Sequence, residues 1–276
     1  METRRYQSAP DLLADTGTFL HAHEPENSLL LGFAQSERPF SGCEVALAAF
    51  AGNEPQAALL QTSINEAILS RAHDEAAKAL GRALAEIGTN SQGIVGPAHI
   101  THAAATAYAK AQTGVAIRFE RRLLLHTLEG EPQAAITNEI LRPAETRDLP
   151  MLIDWSEGFD RDTNTSEHTR KAEERMKQGI EAGRLFVLEH AQHPVAAASW
   201  GRPTANTKTI NFVYTPPQLR GRGHGRAITA LLAQHLLTLS TRDILLFTDA
   251  DDPIPNRLYA RVGFTPTAEF AHWAFV

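Results

Sequence analysis

The sequence holds a single cysteine, Cys43, among 276 residues. One thiol forms no intrachain disulfide, and a cysteine-rich metal site is excluded with it. Long apolar runs are missing too. The amino-terminal stretch METRRYQSAPDLLADTG lacks the apolar core of a signal peptide, and no uninterrupted run is long enough to span a bilayer. The expectation is a cytoplasmic protein with no membrane partner. Positive charge is not in excess. A formal net charge of −6 argues against a general nucleic-acid binder and is compatible with a cationic amine as substrate. The twelve histidines are scattered, with no His-x-x-x-His pair beside a carboxylate, so no metal is expected. No Gly-Lys-Ser/Thr ending closes a glycine-rich loop, which excludes a mononucleotide P-loop.

What is present is the composition of a globular protein, 43% hydrophobic and 21% charged, long enough for one large domain or two ordinary ones. The most informative stretch runs from Thr209 to Leu239. Thr209 to Tyr214 alternates and is rich in β-branched and aromatic residues, as a strand is. Pro216 and Pro217 end it, because proline lacks the N–H that a ladder needs. Then come Arg220-Gly221-Arg222-Gly223-His224-Gly225 and Arg226. Ala227, Ile228, Leu231, Leu232, His235, Leu236 and Leu239 follow at helical spacing. Three alternating glycines remove Cβ atoms from a chain segment that opens a helix. A helix start carries unpaired donors and partial positive charge, and Arg220, Arg222 and Arg226 add full charge. The pattern points to a phosphate or pyrophosphate; a plain glycine turn that lets the helix pack on its strand is the other reading. A dinucleotide fold would place an acidic residue after the next strand, and Asp249 lies at about that distance. However, only residues 226–276 follow the loop, too few for the rest of a doubly wound sheet.

The rest of the chain alternates helix and strand. Helices are predicted over Ala9–His21, Asp74–Ile87 and Ala98–Gln112, and a buried segment over Asn27–Phe33. Strands are predicted over Glu44–Ala51 and Ala57–Thr62 around Gly52-Asn53, then over Gly93–Pro97 and Val115–Leu128. Glu129 to Gln133, broken by Gly130 and Pro132, is the best linker, and divides the chain into residues 1–135 and 136–276. Beyond it a strand is predicted at Asn138–Arg142, with helices at Asp148–Gly158 and Ser166–Ala182. The second helix opens on a Thr165-Ser166 cap with Glu167. Two strands then flank a Gln192-His193 turn.

The Arg220–Gly225 run resembles motif A of the GNAT superfamily of N-acetyltransferases, Arg/Gln-x-x-Gly-x-Gly/Ala between strand and helix. A strand at Asp243–Thr248, then Asn256-Arg257-Leu258-Tyr259 and Val262-Gly263-Phe264, matches the family's next element at its spacing. The resemblance covers roughly Asn138 to Val276. It implies a mixed α/β sheet with a carboxy-terminal acyltransferase fold whose central strands, Ile210–Tyr214 and Ile244–Thr248, splay apart. Residues 1–135 look like the degenerate first halves known in the superfamily and lack the motif. A second acetyl-CoA is not expected there; the half would wall the substrate cleft, or be a structural or oligomer-forming domain.

The resemblance implies acetyl-CoA as co-substrate and direct transfer to an amine in a ternary complex. The cofactor would be held by backbone groups of Phe212, Val213 and Tyr214, by Arg220, Gly221, Arg222, Gly223, His224, Gly225 and Arg226, and by Asn256. Tyr259 is the expected general acid for the departing thiolate; a core tyrosine is the alternative. Asp154, Glu157 and Asp160 are candidates for the general base, each also readable as a solvated helix residue. Trp155, Phe159 and Trp200 are candidates for an acceptor pocket or for core. The acceptor is a small-molecule or protein amine, and a homodimer is left open. The competing functions are a non-catalytic acyl-CoA-binding regulatory module and a nucleotide-binding oxidoreductase.

Overall fold

The same series of elements, β-α-α-β-β-β-α-β-α-β, runs through the chain twice. A computed structural model describes residues 1–35, 45–61, 66–133, 138–163, 172–239 and 241–276. The first pass comprises β1 (Glu2–Tyr6), α1 (Ala9–His21), α2 (Glu24–Ala34), β2 (Val45–Ala51), β3 (Glu54–Gln61), β4 (Glu66–Leu69), α3 (Asp74–Ile87), β5 (Gly93–Pro97), α4 (Ala98–Ala111) and β6 (Ile117–Glu129). The second comprises β7 (Ile140–Pro143), α5 (Leu149–Thr163), α6 (Ala172–Glu181), β8 (Leu185–His190), β9 (His193–Gly201), β10 (Thr207–Tyr214), α7 (His224–Leu237), β11 (Asp243–Asp249), α8 (Pro253–Ala260) and β12 (Thr265–Phe275). The predicted Thr165-Ser166 cap with Glu167, the 135/136 division, Cys43, Glu44 and Thr62 lie outside the described residues. The segment at Asn27–Phe33 is the helix α2, and the β8–β9 turn falls one residue earlier than expected, on Ala191 and Gln192, both at positive φ. Among the described residues no helix is long and apolar enough to cross a membrane.

All twelve strands form one sheet in the order β1-β2-β3-β4-β5-β12-β6-β11-β10-β9-β8-β7. β4 runs parallel to β5, and β10 to β11, and α3 and α7 are the crossovers that parallel pairing requires. The last strand of each pass leaves its own half. β6 pairs with β11, and β12 pairs with β5. The exchanged strands meet antiparallel at the centre, from Thr265↔Thr127 to Phe275↔Ile117. Helices cover both faces, so central strands such as β2 (VALAAFA) are apolar on both sides rather than alternating. α3 and α4 pack on one core and α1 and α2 on another, with α7 and α5/α6 doing the same in the second pass.

Among the polar contacts that tie the halves together, two have a buried member at their centre. Glu24, at the start of α2 and buried, accepts from the Asn206 backbone N–H (2.7 Å), the Asn206 amide (2.8 Å) and the Thr204 hydroxyl. Burial alone pushes this carboxyl upward, but the bonds from Thr204 and Asn206, with His21, hold it below its ordinary value. The second contact is His126 on β6. It is 2% exposed, and its Nε2 lies 2.9 Å from the Thr248 hydroxyl on β11. That hydroxyl donates to Asn256 Oδ1 at 2.6 Å, so its oxygen must accept and His126 Nε2 must carry the proton. His126 Nδ1 is then a buried lone pair without a partner. Burial lowers the pKa of this ring, partly opposed by Asn256.

Two stability predictions follow from these contacts. Glu24→Ala removes the buried acceptor of the Asn206 and Thr204 donors and lowers the unfolding free energy by about 1 kcal/mol or more, read by urea denaturation. His126 binds a proton more readily unfolded than folded. Its stabilisation is therefore complete above its ordinary value of 6.5 and declines as the pH falls from there toward the folded value. In thermal unfolding at a series of pH values, the stability difference between wild type and His126→Asn narrows below that pH. A constant difference would show that the ring is not a buried neutral group.

Candidate active site

The gap expected between two neighbouring strands is present at β10 and β11. They pair from Thr207↔Asp243 to Ile210↔Leu246 and no further, although β10 continues to Tyr214 and β11 to Asp249. β10 stays paired with β9 on its other edge, with a bulge between Ile210 and Phe212. The bulge reverses the alternation. Ile210 and Val213 face α7, whereas Phe212 and Tyr214 turn to the opposite face. There the Phe212 ring meets Phe159 edge-on at 5.2 Å, and α5 passes so close that a Cβ on Gly158 would sit 2.2 Å from the Tyr214 hydroxyl. What Phe212, Val213 and Tyr214 offer the gap is therefore the backbone edge of the strand.

At the end of β10 the chain makes a short 3-10 turn, Pro217–Leu219, and enters the glycine loop. Gly221 (φ 76°) and Gly223 (φ 92°) occupy the left-handed region, which a side chain would strain. Gly225 is different: a Cβ there would approach Leu258 of α8 to 3.0 Å, so this glycine lets two helices close on each other. None of the backbone N–H groups from Gly221 to Arg226 donates to a described residue. Six successive donors thus point out of the start of α7, where the helix dipole is positive.

The three arginines behave differently. Arg220 donates to the Asp162 carboxylate and to Thr215 O (3.0 Å) and lies over the Tyr214 ring, so it pins the loop to the end of α5. Arg222 is exposed. Arg226 has a buried Nε without a partner. A cavity of about 710 Å³ opens beside the helix start, with Arg222, Gly223, His224 and Arg226 on one side and Glu139, His190 and His193 on the other. His224 is held by Glu139 through Nδ1 and is 8% exposed.

α8 follows β11 and is capped by Asp252, whose carboxylate accepts from Ile254 N at 3.0 Å. Tyr259 lies on this helix against the α7 core, its ring 6.1 Å from Phe264 and 6.5 Å from His126. Its hydroxyl has no hydrogen bond to a described residue, and burial holds its pKa well above the usual phenol value. Asn256 is engaged internally. Its amide donates to Asp252 O (2.7 Å) and Asp249 O (3.1 Å), and its oxygen accepts from Thr248. It organises the loop between β11 and α8.

The candidate bases are dispersed. Asp154 and Glu157 are exposed on α5, and Asp160 is paired with Arg175. Trp155 and Phe159 share the α5 face, but Trp200 packs on the α7 side, with Arg184 and Lys208 over its ring. The three aromatics do not line one pocket. His126 is a residue that the sequence does not single out: its strand belongs to the first half, and only the exchange brings it beside Tyr259. Among the described residues no group of three or more His, Cys, Asp or Glu side chains is placed to hold a metal ion.

Comparison with known proteins agrees with this geometry. A model described as the acetyltransferase (GNAT) family matches residues 149–264. A mycothiol acetyltransferase of Cellulomonas flavigena is 37% identical over 76 residues, a segment that spans 28% of this chain and 22% of that relative. A GNAT-family acetyltransferase of Colwellia psychrerythraea superposes over 100% of both chains with a TM-score of 0.59 at 13% identity. A tandem GNAT protein from the clavulanic acid biosynthesis pathway gives 0.59 and 13%, over 100% of this chain and 98% of that one. The structural likeness gives the fold of the whole chain, a tandem GNAT arrangement, and with the parted strands and the glycine loop it leads to one conclusion: residues 149–264 are an acetyltransferase domain of the GNAT family.

Proposed function

We propose that the protein is an acetyl-CoA-dependent N-acetyltransferase that passes an acetyl group directly to an amine in a ternary complex. The observation that carries this is the run of unpaired N–H groups from Gly221 to Arg226, set below strands that part after Ile210 and Leu246. The backbone donors, with the Arg226 and Arg222 guanidinium groups, would hold the pyrophosphate. Arg220 keeps the loop in place through Asp162. The unpaired edge of β10 at Phe212 to Tyr214 would receive the pantetheine arm as an added strand, and a backbone N–H there would polarise the thioester carbonyl. Acetyl-CoA supplies the activated acyl group. Tyr259 keeps its proton because burial disfavours the phenolate, and it would give that proton to the departing sulfur. Asn256 would act by holding the β11–α8 loop and hence the helix that carries Tyr259.

Residues 1–135 are read as a GNAT-like half that has lost its cofactor site, and residues 136–276 as the catalytic half. Between β4 and α3, Ser70-Arg71-Ala72-His73 stands where the glycine loop stands in the second half, and α3 opens on Asp74 and Glu75, which repel phosphate. The strands also stay closed: a Cβ on Gly96 at the end of β5 would lie 2.9 Å from Leu69 of β4. One observation favours the competing reading, a binding module without turnover: Asp154 and Glu157 are exposed and Asp160 is ion-paired, so no carboxylate on α5 is poised as base.

Calorimetric titration with acetyl-CoA tests the cradle. Wild type binds, and Arg226→Ala weakens binding by about tenfold or more, the scale of one charge-assisted hydrogen bond. No binding by wild type would sink the proposal. With a turned-over amine in hand, thiol release separates enzyme from binding module. Tyr259→Phe lowers kcat by about 10²-fold or more while the acetyl-CoA Kd stays unchanged. An unaltered kcat removes the acid role.

A further inference from the structure

On the face of the sheet opposite α7, a cation stands without a counter-charge among the described residues. Arg202 follows β9 in the loop to β10. Its φ is 46°, one of the few left-handed non-glycine residues in the chain. Such a conformation is strained and persists when its surroundings impose it. The guanidinium makes no hydrogen bond or ion pair with a described residue, and its Nε is buried without a partner. Burial alone, with no charge opposing it, pulls this arginine down to about 10. The one contact of note is the ring of Phe247, 5.9 Å from the guanidinium carbon.

The Arg202 guanidinium reaches toward the point where the strands part. Phe247 lies in the part of β11 that no longer pairs with β10. Thr209 of β10 is beside it in the sheet, opposite Leu245 and Gly201, and its fully buried hydroxyl also has no partner. The far wall is α2 of the first half. Leu29 packs over Leu245 and Phe247, and Gly32 faces Arg202 so closely that a Cβ there would lie 2.5 Å from the arginine Cβ. The near wall is α5, over Phe212 and Tyr214. Glu24, the nearest buried carboxylate on α2, is saturated by Thr204 and Asn206 and does not neutralise the guanidinium.

Resting on the transferase reading above, we propose that Arg202, with the Thr209 hydroxyl beside it, receives a carboxylate of the acceptor, so that the substrate is an amine that also bears a carboxylate. A planar guanidinium and one hydroxyl match a carboxylate, which takes a donor on each oxygen. One cation balances one anion; a phosphate dianion would need a second cation, and Lys208, the other nearby one, is turned to Trp200 on the α7 side. The ligand would supply the acceptors that the buried Arg202 Nε and the Thr209 hydroxyl lack among the described residues.

The experiment titrates full-length protein by calorimetry with free amino acids, their α-carboxamides and O-phosphoethanolamine, with acetyl-CoA titrated in parallel. Wild type binds at least one amino acid and binds its carboxamide at least about tenfold more weakly. Arg202→Gln removes that preference while acetyl-CoA binding stays within twofold. Equal affinity for acid and amide, stronger binding of the phosphate, no binding of any amine, or a preference that survives in Arg202→Gln overturns the proposal. Loss of acetyl-CoA binding in wild type would instead strike the transferase reading. Arg202→Met supplies an independent readout. Removing a half-buried cation whose Nε has no partner raises Tm in the ligand-free protein, whereas a fall in Tm would mark Arg202 as a structural residue and overturn the assignment.

Discussion

The strand β11 is held unequally on its two edges. β6 pairs with all of it, from Asp243↔Glu129 to Asp249↔Leu123, while β10 pairs only as far as Leu246. That asymmetry maintains the gap. A strand released on one edge would re-pair or fray if it were loose on the other, because unpaired backbone groups are costly away from water. β11 cannot shift toward β10 without giving up its ladder with β6. The clamp comes from the other half of the chain, since β6 is the last strand of the first pass. The exchange of β6 and β12 therefore makes the gap in one half depend on the fold of the other.

The two halves differ where the proposed site lies. In the second half the helix after the parted strands opens on a glycine loop with unpaired donors and arginines. In the first, the equivalent helix opens on two carboxylates, and β4 and β5 stay in contact through Gly96 and Leu69. The first half thus repeats the element order of the second without the glycine loop or the positive charge at the helix start. Its helices cover its own strands, and α2 also reaches the second half, where Leu29 packs against the cluster that holds Leu245.

Much of this is legible in the sequence, and what is not has a common cause. Amphipathic periodicity gives α1, α3 and α7 closely, and the alternating glycines give the loop, because both signals are local. The direction in which Phe212 and Tyr214 point is not legible. One bulge residue after Ile210 flips the strand's faces, and nothing in a period-two pattern marks where the extra residue falls. His126, Glu24 and Arg202 are equally silent. His126 and Glu24 act on residues more than 100 positions away, and Arg202 lies over a ring on another strand, so their meaning depends on topology, and the exchange of two strands is a topological fact that propensity does not carry. The histidine in β6 reads as one more polar residue on an alternating strand until β11 is laid against it.

α2 shows how these long-range contacts work together. Its first residue, Glu24, fixes the loop between β9 and β10 by binding Thr204 and Asn206. Roughly two turns further on, Gly32 leaves the space in which Arg202, at the start of that loop, lies along the sheet. One helix thus braces the loop and makes room for the cation that the loop presents. The carboxylate of Glu24 is taken up by backbone and side-chain donors, so the nearest negative charge is withheld from the guanidinium. A single Asp or Glu at an adjacent position would neutralise Arg202 and stabilise the free protein. Among the described residues Arg202 makes no ion pair, its backbone is left-handed and the fully buried Thr209 hydroxyl has no partner; on the proposal above, a carboxylate of the ligand would supply acceptors to both.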